Sequence, residues 1–140
     1  MPLTARLVLN HAQIQQVLTS AEGPVARDMI RRGQRVVDQA RVNASGRPGP
    51  NVDSGRLRSS LHWRLVSGGA GIFIEVGTTV SYARGLEFGN APHVIRPRSK
   101  RALYWKGAQH PYRLVNHPGN RPLPFLVPAL SAAHGSYVAT

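Results

Sequence analysis

Cysteine is absent from the 140 residues of this chain, which excludes disulfide bonds and thiolate metal sites. Acidic residues are scarce, six against 18 lysines and arginines, and aromatic residues make up only 6%. No apolar run approaches the roughly 20 residues that a membrane-spanning helix needs. Residues 1–10 alternate polar and apolar types and lack the continuous apolar stretch of a signal peptide. We therefore expect a soluble protein that is made in a cytoplasm and has no membrane partner.

The charge of the chain is strongly one-sided. The formal net charge is +12, and 16 of the 18 basic residues are arginine, with Lys100 and Lys106 as the two lysines. An excess of this size attracts polyanions through its long-range field, so the partner could be DNA or acidic surfaces of neighbouring subunits. GC-rich coding explains the preference for arginine equally well, but it does not remove the charge.

Helices are predicted in three parts of what we expect to be one domain spanning residues 1–140. Residues 1–20 predict a strand and then a short helix, which Asn10 can cap. Residues 24–44 predict a long amphipathic helix that Gly23-Pro24 opens, with proline at an early position where its missing N–H has no partner to lose. Residues 122–134 predict a C-terminal helix, in which Pro128 is tolerated only in the first turn.

Strands are predicted between residues 61 and 116. Period-two runs at 62–66 and 72–76, separated by a glycine-rich turn, predict a β-hairpin, and residues 77–89 predict a loop with a short helical segment. Further strands are predicted at 93–95, 102–105 and 112–115. The pattern predicts an α+β fold in which a small, mostly antiparallel sheet packs against the long amphipathic helix and the C-terminal helix.

Two groups of basic residues are candidates for contact with DNA or with another subunit. Three arginines lie at i, i+4 and i+8 on one flank of the long helix: Arg27, Arg31 and Arg35. They form either an ordinary solvated face or a face that meets anionic groups. Four more cations lie in the six residues between two predicted strands: Arg96, Arg98, Lys100 and Arg101.

The sequence contains few candidate catalytic residues. Catalysis of hydrolysis usually needs paired carboxylates, an activated nucleophile or metal ligands, and the chain has only six acidic residues. Asp53 or Ser54 stands where it can cap a short helical turn, and Glu87 is a single carboxylate in a patterned loop. His93, His110 and His117 could converge on a metal, although scattered surface histidines are the more typical interpretation. We expect no catalytic residue, no cofactor and no metal site.

Nucleic-acid recognition is supported by one cluster only. Tyr104 and Trp105 stand near Lys100, Arg101 and Lys106, and strand alternation is expected to place one of the two aromatic rings in the core. A non-specific basic nucleic-acid-binding protein is therefore the alternative function, because contact with phosphates needs no sequence motif. A small nuclease is a third hypothesis, whose signature would be metal-dependent cleavage that is lost on changing Glu87 or His117.

Three segments, taken in order, resemble a known family. Residues 50–61, PNVDSGRLRSSL, are similar to the "P-x-D-[TS]-G-x-L-R-x-S-I" segment of the tail-completion, or gene-product-ten-like, neck family of long-tailed bacteriophages. Residues 76–89 resemble its "VG…YA…xEFG" segment, and residues 115–130 resemble its "HPG…PFLxPAL" ending. The positions that carry the resemblance are Asp53, Gly55, Leu57, Tyr82, Glu87, Phe88, Gly89, His117, Pro118, Gly119, Pro124 and Phe125.

The resemblance implies a structural role for these residues. Gly55 and Gly89 would permit backbone geometry that a Cβ forbids, Phe125 would anchor the last helix, and Glu87 would take an arginine partner within the subunit or across a ring. The implied protein is a virion subunit, made in the host bacterial cytoplasm, that forms a homo-oligomeric ring between head connector and tail tube.

The partners implied by the resemblance are adjacent neck proteins, such as a connector or stopper, a tail terminator or the tail tube. A hexamer of such chains would carry about +72 charges around a DNA channel. We hypothesise that Arg96, Arg98, Lys100 and Arg101 form an extended loop that contacts a neighbouring ring or genomic DNA in the lumen. Tail completion, tail termination and head-to-tail stopping remain alternatives within the family.

Overall fold

Two helices open the described part of the chain, which comprises residues 9–68 and 71–133 of a computed structural model. Helix α1, His11–Thr19, begins where the side-chain oxygen of Asn10 accepts a hydrogen bond from the Gln13 amide at 3.2 Å. Helix α2, Pro24–Asn43, begins at Gly23-Pro24. Both helix starts confirm the predictions. The strand predicted ahead of α1 falls almost entirely outside the described residues.

Helix α2 supplies much of the hydrophobic core. Its buried positions recur at helical spacing and include Ala26, Gly33, Val36, Val37 and Ala40. The core is completed by residues far along the chain, of which Leu61 and Phe125 are each 1% exposed. Full burial of such a side chain is worth about 2–3 kcal/mol, so these contacts hold α2 against the rest of the chain.

Helix α3, Arg56–Ser60, is the short helical turn predicted after the loop. Its N-cap is Gly55, whose φ of +76° lies in the left-handed region, so neither Asp53 nor Ser54 occupies the cap position as predicted. The Ser54 side-chain oxygen nevertheless accepts a hydrogen bond from the Arg56 amide at 3.4 Å. Leu57 on this helix is 8% exposed and belongs to the core.

The predicted hairpin is confirmed as strands β1, His62–Gly68, and β2, Gly71–Gly77. Leu65 lies opposite Ile74, and α2 packs against the hairpin so closely that a Cβ on Gly33 would come within 2.7 Å of the Ile74 Cγ2. Arg64 and Glu75 form an ion pair across the two strands, with both side chains largely exposed. Glu75 therefore points away from the apolar side of β2, as expected from its alternation.

A second antiparallel pair follows helix α4, Ala83–Phe88. Strands β3, His93–Ile95, and β4, Val115–His117, pair with Ile95 opposite Val115. The strands predicted at 102–105 and 112–115 are wrong as strands, since the contact between these segments is one isolated bridge, Leu103 with Tyr112. Seven residues, 96–102, lie opposite only two, 113–114, and this mismatch breaks the ladder.

The helix predicted over residues 122–134 is shorter than expected. It is a 3₁₀ helix, Pro128–Ala133, and it begins at the proline that was required to lie in the first turn. Residue 134 lies outside the described residues. The α+β class is confirmed, with the described strands forming two antiparallel pairs rather than one sheet. Among the described residues, no helix is both long and apolar enough to cross a membrane.

Candidate functional site

Residues 90–120 form a hairpin-like arm, and we use that name for this segment. The arm is closed at its base by a bridge between Asn90 and Asn120, and β3, β4 and the Leu103–Tyr112 bridge continue it outward. None of its residues is buried, and none belongs to the hydrophobic core. The arm therefore does not contribute to the interior of the domain.

The base of the arm is held by reciprocal hydrogen bonds. The amides of Asn90 and Asn120 each donate to the other residue's carbonyl oxygen at 3.0 Å. Their side chains also meet, with the Asn90 Nδ2 donating to the Asn120 Oδ1 at 2.7 Å. The Asn120 side chain then donates to the Gly85 carbonyl oxygen at 2.9 Å, which ties the arm to helix α4.

Two glycines make this close approach possible. Gly89 and Gly119 have φ values of +76° and +82°, a region that favours glycine. A Cβ on Gly89 would lie 2.7 Å from the Asn120 carbonyl oxygen, and a Cβ on Gly119 would collide with the Asn90 carbonyl oxygen. The backbone conformation expected of Gly89 thus permits the close contact between the second and third motif segments.

Glu87 has a different partner from the one expected. Its carboxylate, on a residue 7% exposed, accepts hydrogen bonds from three consecutive backbone amides: Phe125 at 2.9 Å, Leu126 at 3.0 Å and Val127 at 2.8 Å. Three main-chain donors, which no sequence pattern reveals, hold the carboxylate where an arginine of the same subunit was expected, and an arginine partner across a ring stays a prediction. Glu87 therefore fixes the segment that precedes the 3₁₀ helix, and Phe125 anchors that segment in the core.

The remaining motif positions divide between core and surface. Tyr82 and Phe88 are 47% and 53% exposed, and the guanidinium of Arg84 lies 5.6 Å from the centre of the Phe88 ring. Asp53, Gly55, Leu57 and Tyr82 line one shallow hollow of about 240 Å³. The structure thus brings residues of the first two motif segments together. Pro118 is exposed and Pro124 is half-buried.

The two predicted basic groups lie on different parts of the molecule. Arg27, Arg31 and Arg35 are exposed on α2, as on a solvated helix face. The other four cations, Arg96, Arg98, Lys100 and Arg101, are all exposed in the part of the arm where its ladder is broken. The first group lies on helix α2 and the second lies in the arm, so the two groups belong to different elements.

The aromatic residues of the arm are more exposed than expected. The prediction that either Tyr104 or Trp105 lies in the core is wrong, because the two are 70% and 48% exposed on an arm that touches no core. Trp105 stacks on Tyr112 with ring centres 5.3 Å apart, and His110 lies 4.2 Å from the same ring. The tip of the arm therefore carries an exposed aromatic cluster beside Lys106.

The histidines do not gather as metal ligands. His93 and His117 stack with ring centres 5.0 Å apart across β3 and β4, while the ring of His110 lies tilted against Tyr112 nearer the tip. The Gly119 amide donates to the Nδ1 of His117 at 3.0 Å, so that nitrogen is an acceptor. Within residues 9–68 and 71–133, no group of three ligating side chains is placed to hold a metal ion.

Several residues of this site escaped prediction from the sequence. Asn90 and Asn120, which close the arm, and Tyr112, which carries the stacked tip, were not singled out. A signal for the first two exists, since each follows one of the left-handed glycines as a Gly-Asn pair. Tyr112 has no such signal, because stacking with Trp105 depends on the register of a hairpin with a long bulge.

A model of a known protein family matches the first part of the chain. Residues 9–89, more than half of the chain, match the model described as "Bacteriophage HK97-gp10, putative tail-component". The matched range contains α1, α2, the first hairpin and the first two motif segments, and it ends at the base of the arm. No curated protein and no solved structure matches the chain.

Proposed function

Because the chain belongs to the HK97 gp10-like family of bacteriophage tail components, we propose that it is a structural subunit of the phage neck. Copies of the single domain form a ring, most simply a hexamer, that joins the head connector to the tail tube around the DNA channel. The work of this subunit is done by surfaces that meet other copies and other rings, without covalent chemistry. It is made in the bacterial cytoplasm and ends in the virion.

The observation that supports assembly is the surface of α1. This helix contains no buried residue and no lysine, arginine or acidic residue, yet Ile14, Val17 and Leu18 lie at i, i+3 and i+4 and are 40%, 47% and 47% exposed. Such a stripe is typical of a helix whose apolar face is covered. Covering what remains exposed would contribute roughly 1 kcal/mol for each side chain. We assign the covering surface to a second copy of the chain.

A groove beside the first hairpin is the surface that we propose receives α1 of the next copy. It has a volume of about 1200 Å³, and its apolar lining includes Met29, Phe73, Leu126 and Leu130. A helix face packing into a groove elsewhere on the next molecule is a heterologous contact, which closes into a ring when the rotation between copies allows. The stripe and the groove thus provide the two unlike surfaces that such a ring needs.

Light scattering of the purified chain during size-exclusion chromatography tests the ring. We expect a mass of about 91 kDa for a hexamer, six times the 15.2 kDa of one chain. The triple variant Ile14→Ser, Val17→Ser, Leu18→Ser should retain a folded circular dichroism spectrum and elute as a monomer. The control Val42→Ser, Val52→Ser replaces two exposed apolar residues away from α1, 62% and 45% exposed, and should remain a ring.

Cross-linking identifies the contact itself, because the chain has no cysteine of its own. A Val17→Cys, Leu130→Cys variant should form disulfide-linked multimers under oxidation, and the ladder should end at the copy number of the ring. Only monomeric product would contradict the proposed contact. A monomer that binds DNA would instead favour the alternative, a free-standing basic nucleic-acid-binding protein, which the charge of the arm makes the second candidate.

A further inference from the structure

The positive charge of the molecule is compensated unevenly. All six acidic residues lie between Glu22 and Glu87, so the arm contains none. The ion pairs found among the described residues, Arg32–Asp28, Arg41–Asp38 and Arg64–Glu75, all lie outside the arm. The arm itself carries six cations: Arg96, Arg98, Lys100, Arg101, Lys106 and Arg113. No acidic residue within the arm compensates this charge, which is therefore available to an anionic partner.

The geometry of the arm presents these cations outward. Beyond the Ile95–Val115 pair, residues 96–102 are opposed only by 113–114, so the longer segment bulges from the ladder. Its four cations and Arg113 are all exposed. Three of these four cations are arginines, whose side chains can make paired hydrogen bonds to phosphate oxygens.

The tip adds a second feature that points to nucleic acid. The stack of Trp105 on Tyr112, at 22° between ring planes, fixes the tip, while Tyr104 is left 70% exposed next to it. Exposed aromatic rings beside cations are typical of surfaces that contact nucleic acids.

We propose that the arm, residues 90–120, is a DNA-binding element that holds the phosphate backbone of duplex DNA. Arg96, Arg98, Lys100 and Arg101 bind phosphates, and Tyr104 and Trp105 pack against the sugar-phosphate edge. Contacts to phosphates and sugars carry no sequence information, so binding through them is independent of base sequence. The site belongs to a single chain and lies outside the range that matches the family, so the inference does not rest on the proposed ring.

Fluorescence anisotropy with a labelled duplex of mixed sequence, measured over a series of salt concentrations, tests the site. Each phosphate contact contributes about 0.9 to the slope of log affinity against log salt. Replacing the four cations of the bulge with glutamine should lower the slope by about 3.6 and weaken binding about 100-fold or more near 0.1 M salt. Native affinity in that variant would overturn the proposal.

The matched control removes the same charge from another exposed surface. Arg27, Arg31, Arg35 and Arg47 are exposed outside the arm, and their replacement with glutamine should leave most of the slope intact. Equal weakening in both variants would mean that net charge, and not the arm, binds DNA. A third variant, Arg96→Lys, Arg98→Lys, Arg101→Lys, keeps the charge and should bind within a few-fold of the native chain, which would show that substitution at these three positions does not itself abolish binding.

Two further arms of the experiment separate the other outcomes. Poly-glutamate of matched charge should compete weakly with the duplex; competition as strong as that of unlabelled duplex would assign the arm to acidic protein surfaces instead. The α1 triple variant should bind DNA with the native slope per chain. A native chain that binds DNA but forms no ring would sink the proposed function alone, and a native ring that does not bind DNA would sink this inference alone.

Discussion

Glu87 is the residue whose chemistry is most unusual for its surroundings. A buried carboxylate is tolerated only when charge-assisted hydrogen bonds replace its water, and here three main-chain amides do so at 2.8–3.0 Å. These amides belong to residues 125–127, about 40 positions along the chain. One side chain thus joins the second motif segment to the third.

We predict that Glu87→Ala destabilises the protein by about 3–5 kcal/mol, because it leaves three donors with little access to water and removes charge-assisted bonds. Glu87→Gln should cost less, about 2–3 kcal/mol, since one of its two acceptor oxygens is replaced by a donor. Urea denaturation followed by circular dichroism measures both. Glu75→Gln is the control, because its exposed ion pair with Arg64 is worth at most about 1 kcal/mol. Equal losses for Glu87→Ala and Glu75→Gln would contradict this role.

Gly119 gives a second prediction for a single position. Gly119→Ala combines a left-handed φ, which costs about 1–2 kcal/mol, with a collision against the Asn90 carbonyl oxygen. Gly55→Ala has a similar φ and open space around the added Cβ, so it should show only the conformational cost. Hydrogen exchange should therefore speed up at the Asn90 and Asn120 amides in Gly119→Ala and remain native there in Gly55→Ala. Native exchange rates in both variants would show that the hydrogen bonds between Asn90 and Asn120 accommodate the Cβ at position 119, which would contradict the prediction.

The arm behaves as an element separate from the core. None of its residues is buried, and its only ladder is internal. Replacing residues 96–114 with Asn-Gly, which favours a tight turn between antiparallel strands, would join Ile95 to Val115 directly. We expect the free energy of unfolding to stay within about 1 kcal/mol of native, because the core contacts are unchanged, and we expect DNA binding to be lost. A large loss of stability in urea denaturation would show that the arm supports the fold.

Elements governed by local patterns were predicted well. Helix α2 was predicted because Gly23-Pro24 marks its start and its apolar residues recur at helical spacing. The first hairpin was predicted because two period-two runs flank a glycine-rich turn. In both cases the signal lies within a few residues of the element that it determines.

Elements that depend on distant partners were predicted poorly. Tyr104 and Trp105 were predicted to lie in a half-buried strand. A period-two pattern predicts a strand but does not show whether other elements cover one of its faces. The helix after residue 122 begins late because Glu87 holds residues 125–127 by their amides, and such main-chain contacts leave no trace in side-chain patterns. For the same reason the main-chain partners of Glu87 were not predicted.

The molecule as a whole separates two kinds of surface. The part that matches the family carries the exposed apolar stripe of α1 and every acidic residue, whereas the arm beyond it carries six cations and no acid. Apolar contact suits permanent assembly of like chains, and phosphate contact weakens steeply with salt. This division fits the two proposals, in which the α1 stripe contacts other copies of the chain and the arm contacts DNA.

Electron microscopy of lysates from a phage whose copy of this gene carries an early stop codon tests the joining role most directly. A ring that joins head to tail is needed only after both are built. We therefore predict DNA-filled heads and complete, separate tails side by side in the same lysate, with joined particles restored when the protein is supplied in trans. Intact, infectious virions in its absence would contradict the proposed function.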